Sequence, residues 1–553
     1  MLVVAEKGSV ARSIRAAIEP PPTVLALSGH FLGLDFHEKY RSWVGVDPKE
    51  LFHAQIEWVV EDEKTYRKLI DAFREERDGL VIAVDNDHEG ELIGYEVLCV
   101  AESVLGKASY QRMRFNSTAP YELRRAWAGL EPELNWGWVW KAFFRHKFDL
   151  VTGAAYTRLL TLTAQKAWRD VNLVSWGSCQ TPTLWFVFQR DMAIREFKPE
   201  TYYVIEAVLN VGGVLVKVSS GSIKDRDPAL SLYQKGKEAQ FAVVERFELK
   251  DEVQLKPLPT DTDIMLQELT KILTISGARI MNLAESLYAE GFISYPRTQT
   301  EMWVRTDHKA ILNMMAHTSL ASHIKLEEFS PRDGRKNDGA HPPIHPTEAY
   351  RLADLKGRVW EYVARRYLAN VFSSDAEFKR WRLKVDLNGV SLEGTNRYLV
   401  DEGFYRVFPY FKPTKLQQMP SVGLGERLSV ERVELVERQT EPPPHLTEAD
   451  LLKLMEQHNI GTDATRQQYP ALIVDRGYAE RKGKAFMITG FGETLIKRLS
   501  SIDERLVTSG TRALVEEAME EVEKGNRDLD ETLESALQVY EQLYISLEKN
   551  LRF

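Results

Sequence analysis

Residues 80–94 read LVIAVDNDHEGELIG, and this stretch decides the fold of the first part of the chain. The apolar run from Leu80 to Val84 predicts a buried strand, and a helical pattern from Leu92 to Leu105 follows the acidic residues. A second apolar run, Leu2 to Ala5, also ends in charged residues, Glu6 and Lys7. Because chemistry in parallel sheets collects at the carboxyl ends of strands, we expect a small α/β unit with both charged ends in one functional site.

The carboxylates after this strand are spaced two residues apart. On an extended segment, such spacing turns Asp85, Asp87 and Glu89 to one side. Crowded carboxylates raise one another's pKa unless a cation lies among them, and Mg²⁺ is usually held by a few carboxylate oxygens. We therefore predict a Mg²⁺ site on these three residues, with Glu6 completing it. A solvated acidic turn is the alternative.

A second candidate for chemistry is Tyr295, within the stretch GFISYPRT at residues 291–298. A tyrosine nucleophile needs help, because its ordinary pKa of about 10 leaves little phenolate at neutral pH. Arg297 is close enough in sequence to stabilise both a phenolate and a phosphate. Local composition favours a core or turn aromatic all the same, so the residues alone leave the role of Tyr295 open.

The remaining chain alternates between helical and strand-like patterns. Residues 136–167 are helical and rich in aromatic and basic residues, residues 262–317 are helical around a short interruption, and residues 447–450 read as a helix capping box. Residues 200–255 and 378–436 alternate apolar and polar residues, which predicts strands. Since the two strand-rich pieces flank a helical block, we predict a helical domain inserted into a β domain.

Composition sets further limits. The 553 residues carry a net charge of −9, of which residues 511–553, with eleven acids and five bases, contribute −6. The acidic total therefore does not exclude basic grooves in the first 510 residues. Two cysteines, Cys99 and Cys179, exclude a four-thiolate zinc module and a disulfide framework. With no secretory signal and no apolar stretch of bilayer length, we expect a cytoplasmic, nucleoid-associated protein and no membrane partner.

Six stretches together resemble the type IA DNA topoisomerases, and in particular their topoisomerase III branch. They lie in the order typical of that family and span nearly the whole chain: AEKGSVARSI at 5–14, VDNDHEGELIG at 84–94, GSCQTPTL at 177–184, EGFISYPRTQT at 290–300, AHPPIHPT at 340–347 and LMEQHNIGTDATR at 454–466. The resemblance implies a toroidal core made of an N-terminal Toprim domain, a β-rich hinge, an inserted helical domain and a helical C-terminal domain.

The resemblance also implies roles for single residues. Tyr295 matches the nucleophile, Arg297 the arginine that assists it, Lys7 a phosphate contact and His341 a histidine near the active site. Glu6 and the set of Asp85, Asp87 and Glu89 match the family's Mg²⁺-binding acidic site, and Glu6 is also expected to move a proton to and from the 3′ oxygen. The implied cofactor is Mg²⁺, with neither zinc nor ATP.

Expected DNA contacts come from two sources. Arg145, Arg158, Gln180 and Thr181 lie in stretches that resemble the segment holding the single strand, and Arg112 belongs to a mixture of basic and aromatic residues suited to a single-strand groove. The domain prediction assigns 1–150 to the Toprim domain, 151–205 with 437–553 to a helical DNA-binding domain, 206–258 with 378–436 to the hinge, and 259–377 to the inserted domain.

The predicted activity is ATP-independent cleavage of single-stranded or underwound DNA through a 5′-phosphotyrosine, followed by strand passage and religation, by a monomer that works with a helicase. No phosphate-binding P-loop motif is found. Two departures from the family pattern are His88, where arginine is usual, and Gln299, where an acid is commoner. The alternatives are a Toprim nuclease or primase, and a catalytically silent single-stranded DNA-binding protein.

Overall fold

The structure is a computed structural model that describes residues 1–75, 79–167, 170–462 and 465–552. Its first unit is a parallel sheet of four strands in the order β2-β1-β5-β6, with a separate antiparallel pair, β3 and β4. The strands are β1 Leu2–Ala5, β2 Thr23–Ala26, β3 Leu32–Phe36, β4 Ile56–Val60, β5 Leu80–Ala83 and β6 Tyr110–Arg112, and the helices are α1 Gly8–Ala17, α2 Glu63–Glu75, α3 His88–Leu105 and α4 Pro120–Ala128.

The two apolar runs of the sequence form the central strands of this sheet. Every residue of β1 and β5 is buried, as expected for parallel strands covered on both faces. Because β1 and β5 are neighbours in the sheet, the charged residues that follow them emerge at the same edge. Two long helices then leave this unit, α5 Trp136–Ala167 and α6 Gln180–Glu196.

The middle of the chain is a six-stranded closed barrel with a helical insertion. The barrel order is β10-β11-β8-β7-β12-β9. Its strands are β7 Thr201–Val211, β8 Val214–Ser219, β9 Phe241–Gln254, β10 Ala376–Asp386, β11 Ser391–Asp401 and β12 Arg427–Gln439, with α7 Arg226–Lys237 against them. Between β9 and β10, the inserted block contains α8 Thr262–Leu273, α9 Gly277–Ala289, α10 His308–Met315 and α11 Leu355–Phe372.

The C-terminal part is mainly helical and packs on α5 and α6. It contains α12 Glu448–Gln457, α13 Tyr469–Asp475, β13 Ala479–Lys482, β14 Ala485–Ile488, α14 Gly490–Ile502, α15 Gly510–Glu523 and α16 Leu529–Asn550. The predicted capping box is confirmed, since Thr447 and Asp450 each accept a hydrogen bond from the other's backbone N–H at the start of α12. Within the described ranges, each helix is too short or too polar to cross a bilayer.

Four of the predicted domain boundaries fall inside regular elements and are wrong by a few residues or more. The boundary after residue 150 lies within the continuous helix α5, so this helix belongs to both predicted domains. The boundary after 205 cuts β7 and the one after 436 cuts β12, although these strands pair from Thr201 with Gln439 to Asn210 with Ser429. The boundary after 377 cuts β10, which begins at Ala376. Strand pairing therefore places the barrel at 201–254 and 376–439.

Candidate active site

The turn between β5 and α3 is tight, and this geometry places the acidic residues. Asp87 is the N-cap of α3, where its carboxylate accepts a hydrogen bond from the Gly90 backbone N–H at 2.6 Å. A Cβ atom at position 90 would lie 2.2 Å from the carbonyl oxygen of Asp85, so only glycine allows this approach of helix and strand end. Asp85 and Asp87 are thereby held together at the edge of the sheet.

Glu6 and Lys7, which follow β1, complete an acid cluster with Asp85 and Asp87. The Asp85 backbone N–H donates to Glu6 Oε2 at 2.9 Å. Lys7 Nζ lies 2.7 Å from Asp85 Oδ2 and 3.2 Å from Glu6 Oε1, so one ammonium serves two buried carboxylates. The neighbouring strand ends therefore meet as the sequence predicted.

The inserted block brings two tyrosines onto this acid cluster. The Tyr295 hydroxyl donates to Asp87 Oδ2, and the Tyr288 hydroxyl, from α9, donates to Asp85 Oδ1 at 3.1 Å. The Tyr295 backbone N–H also donates to the carbonyl of Asn116 at 2.8 Å, which fixes the tyrosine segment to the first unit. Both tyrosine side chains are buried, and their rings lie edge to face at 5.0 Å.

The charge balance of the acid cluster suits a bound cation. Burial, reinforced by the charge of Asp85, raises the pKa of Glu6 to about 8. Burial and the charges of Asp87 and Asp85 raise the pKa of Tyr295 well above its usual value, while Arg297 opposes that rise. Hard carboxylate oxygens are the ligands that Mg²⁺ prefers, but the donor atoms of Glu6, Asp85 and Asp87 do not all lie within 4.8 Å of one another here, so their joint binding of Mg²⁺ stays a prediction.

Arg297 and His341 flank Tyr295. Arg297 donates from Nε to Glu285 Oε1 at 2.9 Å, which fixes the guanidinium beside the tyrosine. The His341 ring stacks on the Tyr295 ring with centroids 5.1 Å apart, and His341 Nδ1 lies 3.0 Å from Asp338 Oδ2. Although burial opposes it, the contact with His341 holds the pKa of Asp338 well below its usual range. The structure thus brings both predicted partners to Tyr295.

A cleft of about 360 Å³ opens beside these residues, between the first unit, the inserted block and the C-terminal helices. Asp87, Arg297 and His341 line it from the catalytic side, together with Trp138 and Arg145 of α5. The Trp138 ring stacks on His341 with centroids 6.4 Å apart and meets the His88 ring at a tilt, with centroids 5.0 Å apart. Planar rings and cations are what single-stranded nucleic acid requires of a cleft, although several carboxylates, among them Glu516, Glu517 and Glu520, line this one as well.

Glu89 departs from its predicted role. It lies in the first turn of α3 and not on the extended segment, so its side chain turns away from the other carboxylates. Its oxygens contact Arg145, His146 at 2.8 Å and His30 at 3.1 Å. Within the described ranges, His30, Glu89 and His146 are the only three histidine, cysteine or acidic residues whose metal-ligating atoms all lie within 4.8 Å of one another. The prediction that Glu89 shares a Mg²⁺ site with Asp85 and Asp87 is therefore corrected.

Two of the predicted DNA-binding arginines are structural. Arg112 is fully buried, pairs with buried Glu91 at 2.9 Å and donates to the carbonyl of Asp85 at 2.9 Å. Arg158 is buried as well and donates to the carbonyl oxygens of the 40–42 loop, at 2.7 Å for Tyr40. Because these guanidinium groups are consumed inside the protein, the prediction that they contact DNA is wrong for this conformation.

Of the other predicted DNA contacts, two are interior residues and one lines the cleft. Gln180 and Thr181 begin α6 as buried residues, and Gln180 Nε2 donates to Ser175 Oγ at 3.1 Å. They therefore shape the protein interior and present no surface to DNA here, which corrects their assignment. Arg145 lines the cleft while it pairs with Glu89, so its role in DNA binding stays a prediction.

Several residues at this site were missed by sequence reasoning. Tyr288, Asp338 and Glu285 each contact a predicted catalytic residue, and His30 approaches Glu89 from the loop after β2. Tyr288 lies in α9, near the C-terminal end of the helix that precedes Tyr295. A tyrosine in an amphipathic helix is ordinarily a core residue, so its position gave no sign of this contact. Their roles depend on contacts between distant segments, for which the sequence offers no local signal.

Comparison with known families assigns both halves of the chain. A family model described as "Toprim domain" matches residues 1–118, and one described as "DNA topoisomerase" matches residues 133–534. The matched regions include the acid cluster, Tyr295 and the cleft.

Individual relatives agree. The chain is 32% identical over 543 residues to DNA topoisomerase 3-alpha of Mus musculus, with 94% of this chain and 53% of that protein covered. It is 32% identical over 542 residues to DNA topoisomerase 3-beta-1 of Homo sapiens, with 94% and 62% covered. The chain thus spans little more than half the length of these relatives. The structure of full-length topoisomerase I from Thermotoga maritima superposes with a TM-score of 0.78 at 22% identity, covering 100% of this chain and 91% of that one.

Proposed function

The chain belongs to the DNA topoisomerase family, in the topoisomerase III branch of its type IA members, and on this basis we propose that it cuts, passes and reseals single DNA strands. The fold is the toroidal type IA core, with the Toprim unit, the barrel, the inserted helical block and the C-terminal helices. The observation that carries the proposal is the Tyr295 hydroxyl, hydrogen-bonded to Asp87 within the acid cluster.

The proposed reaction is a transesterification. The Tyr295 hydroxyl passes its proton to Asp87, and the phenolic oxygen attacks a backbone phosphorus to form a 5′-phosphotyrosine. The bond between phosphorus and the 3′ oxygen breaks, and the departing 3′ oxygen takes up a proton from Glu6. Resealing runs the same steps backwards. One phosphodiester replaces another, so no ATP is consumed.

Positioned charge supplies the rate enhancement in this proposal. Lys7, which pairs with Asp85, and Arg297, whose charge acts on Tyr295, would neutralise the non-bridging oxygens of the phosphate. Mg²⁺ held by the acid cluster would add positive charge at the same phosphate. His341 stacks on Tyr295 and, with Asp338 behind it, fixes the ring for attack.

Strand passage follows from where the two broken ends are held. The phosphotyrosine would be attached to the inserted block, whereas the acid cluster that receives the 3′ end belongs to the first unit. The block leaves the barrel after β9 and returns into β10, and these strands are antiparallel neighbours. We infer that this pair of β-strands, at the base of the inserted block, acts as a hinge. When the block swings on it, a gate opens for a second DNA strand.

The substrate and setting complete the proposal. Single-stranded or underwound DNA fits the cleft beside Tyr295, which stacks rings and presents cations. We propose that the protein acts as a monomer and that a helicase, by unwinding DNA, supplies it with single-stranded substrate. The free thiols Cys99 and Cys179 suit a reducing compartment such as the cytoplasm.

A labelled oligonucleotide tests the proposal. Single-stranded DNA labelled at either end is incubated with the protein and Mg²⁺ and then denatured. We expect protein joined to the 5′ end of the cleaved product, loss of this adduct in Tyr295→Phe, and its retention in Tyr350→Phe, which removes a hydroxyl elsewhere in the same block. Cleavage without an adduct would identify a nuclease, and intact bound DNA would identify a silent binding protein. An adduct that persists in Tyr295→Phe would exclude Tyr295 as the nucleophile.

A further inference from the structure

Three side chains from separate elements converge beside the cleft. His30 comes from the loop between β2 and β3, Glu89 from the first turn of α3, and His146 from the middle of α5. His30 Nε2 lies 3.1 Å and His146 Nε2 lies 2.8 Å from the same oxygen, Glu89 Oε2. One donor atom from each residue falls within 4.8 Å of the other two. We name these three residues the histidine cluster.

The donor set of the histidine cluster differs in kind from that of the acid cluster. Two imidazole nitrogens and one carboxylate oxygen suit a borderline-soft transition metal, whereas Mg²⁺ prefers oxygen ligands throughout. Two histidines with one glutamate are also a three-ligand set by which catalytic zinc sites are held, with a fourth position open to water. The three side chains are 21 to 32% exposed, which leaves an entry path for an ion.

A second layer of contacts prepares His30 as a ligand. Its Nδ1 lies 2.5 Å from Glu96 Oε1, and Glu96 is fully buried in α3. The other Glu96 oxygen accepts hydrogen bonds from the backbone N–H groups of Phe31 and Leu32, at 3.2 and 3.1 Å. A carboxylate on Nδ1 holds one proton there, so that an ion replacing the proton shared by Nε2 and Glu89 would find the Nε2 lone pair directed at it, as in carboxylate–histidine–metal arrangements. Arg145 occupies the remaining Glu89 oxygen.

We propose that His30, Glu89 and His146 bind one divalent transition-metal ion of the Zn²⁺ class, separate from the Mg²⁺ of the acid cluster. The ion ties the loop after β2 and the start of α3 to helix α5. Because Arg145 pairs with Glu89, an ion bound by Glu89 also fixes the Arg145 side chain at the wall of the cleft. This site goes beyond the proposed cleavage reaction, and its binding needs neither DNA nor Tyr295.

Direct metal binding tests the site. The full chain is stripped with a chelator and titrated with Zn²⁺ by calorimetry and with Co²⁺ by visible absorption, in the absence of DNA. We expect one ion per chain and the absorption of nitrogen-ligated cobalt. His146→Phe should weaken binding at least 100-fold, and Glu96→Gln should weaken it about 10- to 100-fold through the second layer. Zn²⁺ should also raise the melting temperature of the wild type and not that of His146→Phe.

Two matched controls assign the ion to this place. His53→Asn changes a histidine that also pairs with a glutamate, Glu541, but lies outside the cluster, so it should bind Zn²⁺ like the wild type. The double variant Asp85→Asn, Asp87→Asn should likewise keep its Zn²⁺. Absence of stoichiometric binding, unchanged binding in His146→Phe, or loss of Zn²⁺ in the Asp85, Asp87 variant would each overturn the proposal. None of these results would affect the test of Tyr295, which is read in Mg²⁺ with DNA.

Discussion

Two of the charged contacts between the inserted block and the rest of the described chain are built differently. On one side, Tyr288 and Tyr295 donate to Asp85 and Asp87 of the first unit. On the other side, α8 packs against α12, Arg466 pairs with Asp263, and Lys336 donates to Glu456 at 2.8 Å. We call these the catalytic contact and the latch contact.

The difference between the two contacts lies in what neutralises the carboxylates. At the catalytic contact, two neutral phenols, Lys7 and Arg297 face several acids, and the pKa of Glu6 rises to about 8 through burial and the charge of Asp85. At the latch contact, burial again opposes ionisation, but hydrogen bonds from Lys336 and Gln267 hold the pKa of Glu456 below its usual value. The catalytic contact therefore suits a cation and a phosphate, whereas ion pairs within the protein already neutralise the carboxylates Asp263 and Glu456 of the latch contact.

The largest effect is expected from removing charge at the catalytic contact. Asp85→Asn combined with Asp87→Asn removes the oxygens suited to Mg²⁺, and DNA relaxation in Mg²⁺ should fall about 1,000-fold, which corresponds to about 4 kcal/mol of barrier. Asp251→Asn changes an exposed barrel aspartate and serves as the control. Relaxation at the wild-type rate in the double variant would contradict the proposed Mg²⁺ site.

The latch contact should respond through stability and not through chemistry. Arg466→Met leaves Asp263 as a buried charge without its guanidinium, a change that costs about 3 kcal/mol. We expect a lower urea midpoint than in the exposed control Arg476→Met, with cleavage of a short oligonucleotide retained. Cleavage lost in parallel with the midpoint would show that the two contacts are not separate in function.

Arg297 tests how much of the chemistry depends on fixed charge beside Tyr295. Arg297→Met removes the cation that opposes the raised pKa of Tyr295, so adduct formation should slow about 100-fold. Arg297→Lys should recover part of the rate, and Arg279→Met, an exposed arginine in the same block, should leave it unchanged. Equal rates for Arg297→Met and the wild type would remove this residue from the catalytic set.

The sequence predicted much of this site because its motifs are local. Glu6, Lys7 and Asp85 end buried parallel strands, and periodicity was sufficient to place them at one edge. That Tyr295 would reach this edge from the inserted block came from family resemblance, since a tyrosine before proline has no local mark of reactivity. A β-rich domain was likewise predicted from two separated runs of alternating residues, but the pattern did not predict that the strands close into a six-stranded barrel.

The sequence failed where a side chain's surroundings come from distant segments. Arg112 and Arg158 read as groove arginines, but buried Glu91 and the carbonyls of the 40–42 loop consume them. Glu89 was assigned by a spacing of two, which holds for a strand, but α3 begins one residue before it and turns it toward His30 and His146. Charge and spacing alone do not distinguish a ligand from a structural ion pair.

The smallest expected effect is a change in the free energy of unfolding with pH at the latch contact. Asp261, the N-cap of α8 at the latch contact, has its pKa raised to about 7 by burial and by Asp263. A carboxyl that is more basic in the folded state contributes stability below pH 4, and this contribution is lost as pH rises toward 7. Asp261→Asn keeps a capping oxygen for the Ile264 N–H but does not ionise. We expect the variant to gain at least about 1.4 kcal/mol, the worth of one pKa unit, relative to wild type between pH 4 and pH 8. Urea midpoints of the variant and the wild type across this pH range measure the difference in stability. A difference that stays constant with pH would mean that Asp261 is ionised throughout. The latch contact, unlike the catalytic one, would then carry no carboxyl with a raised pKa.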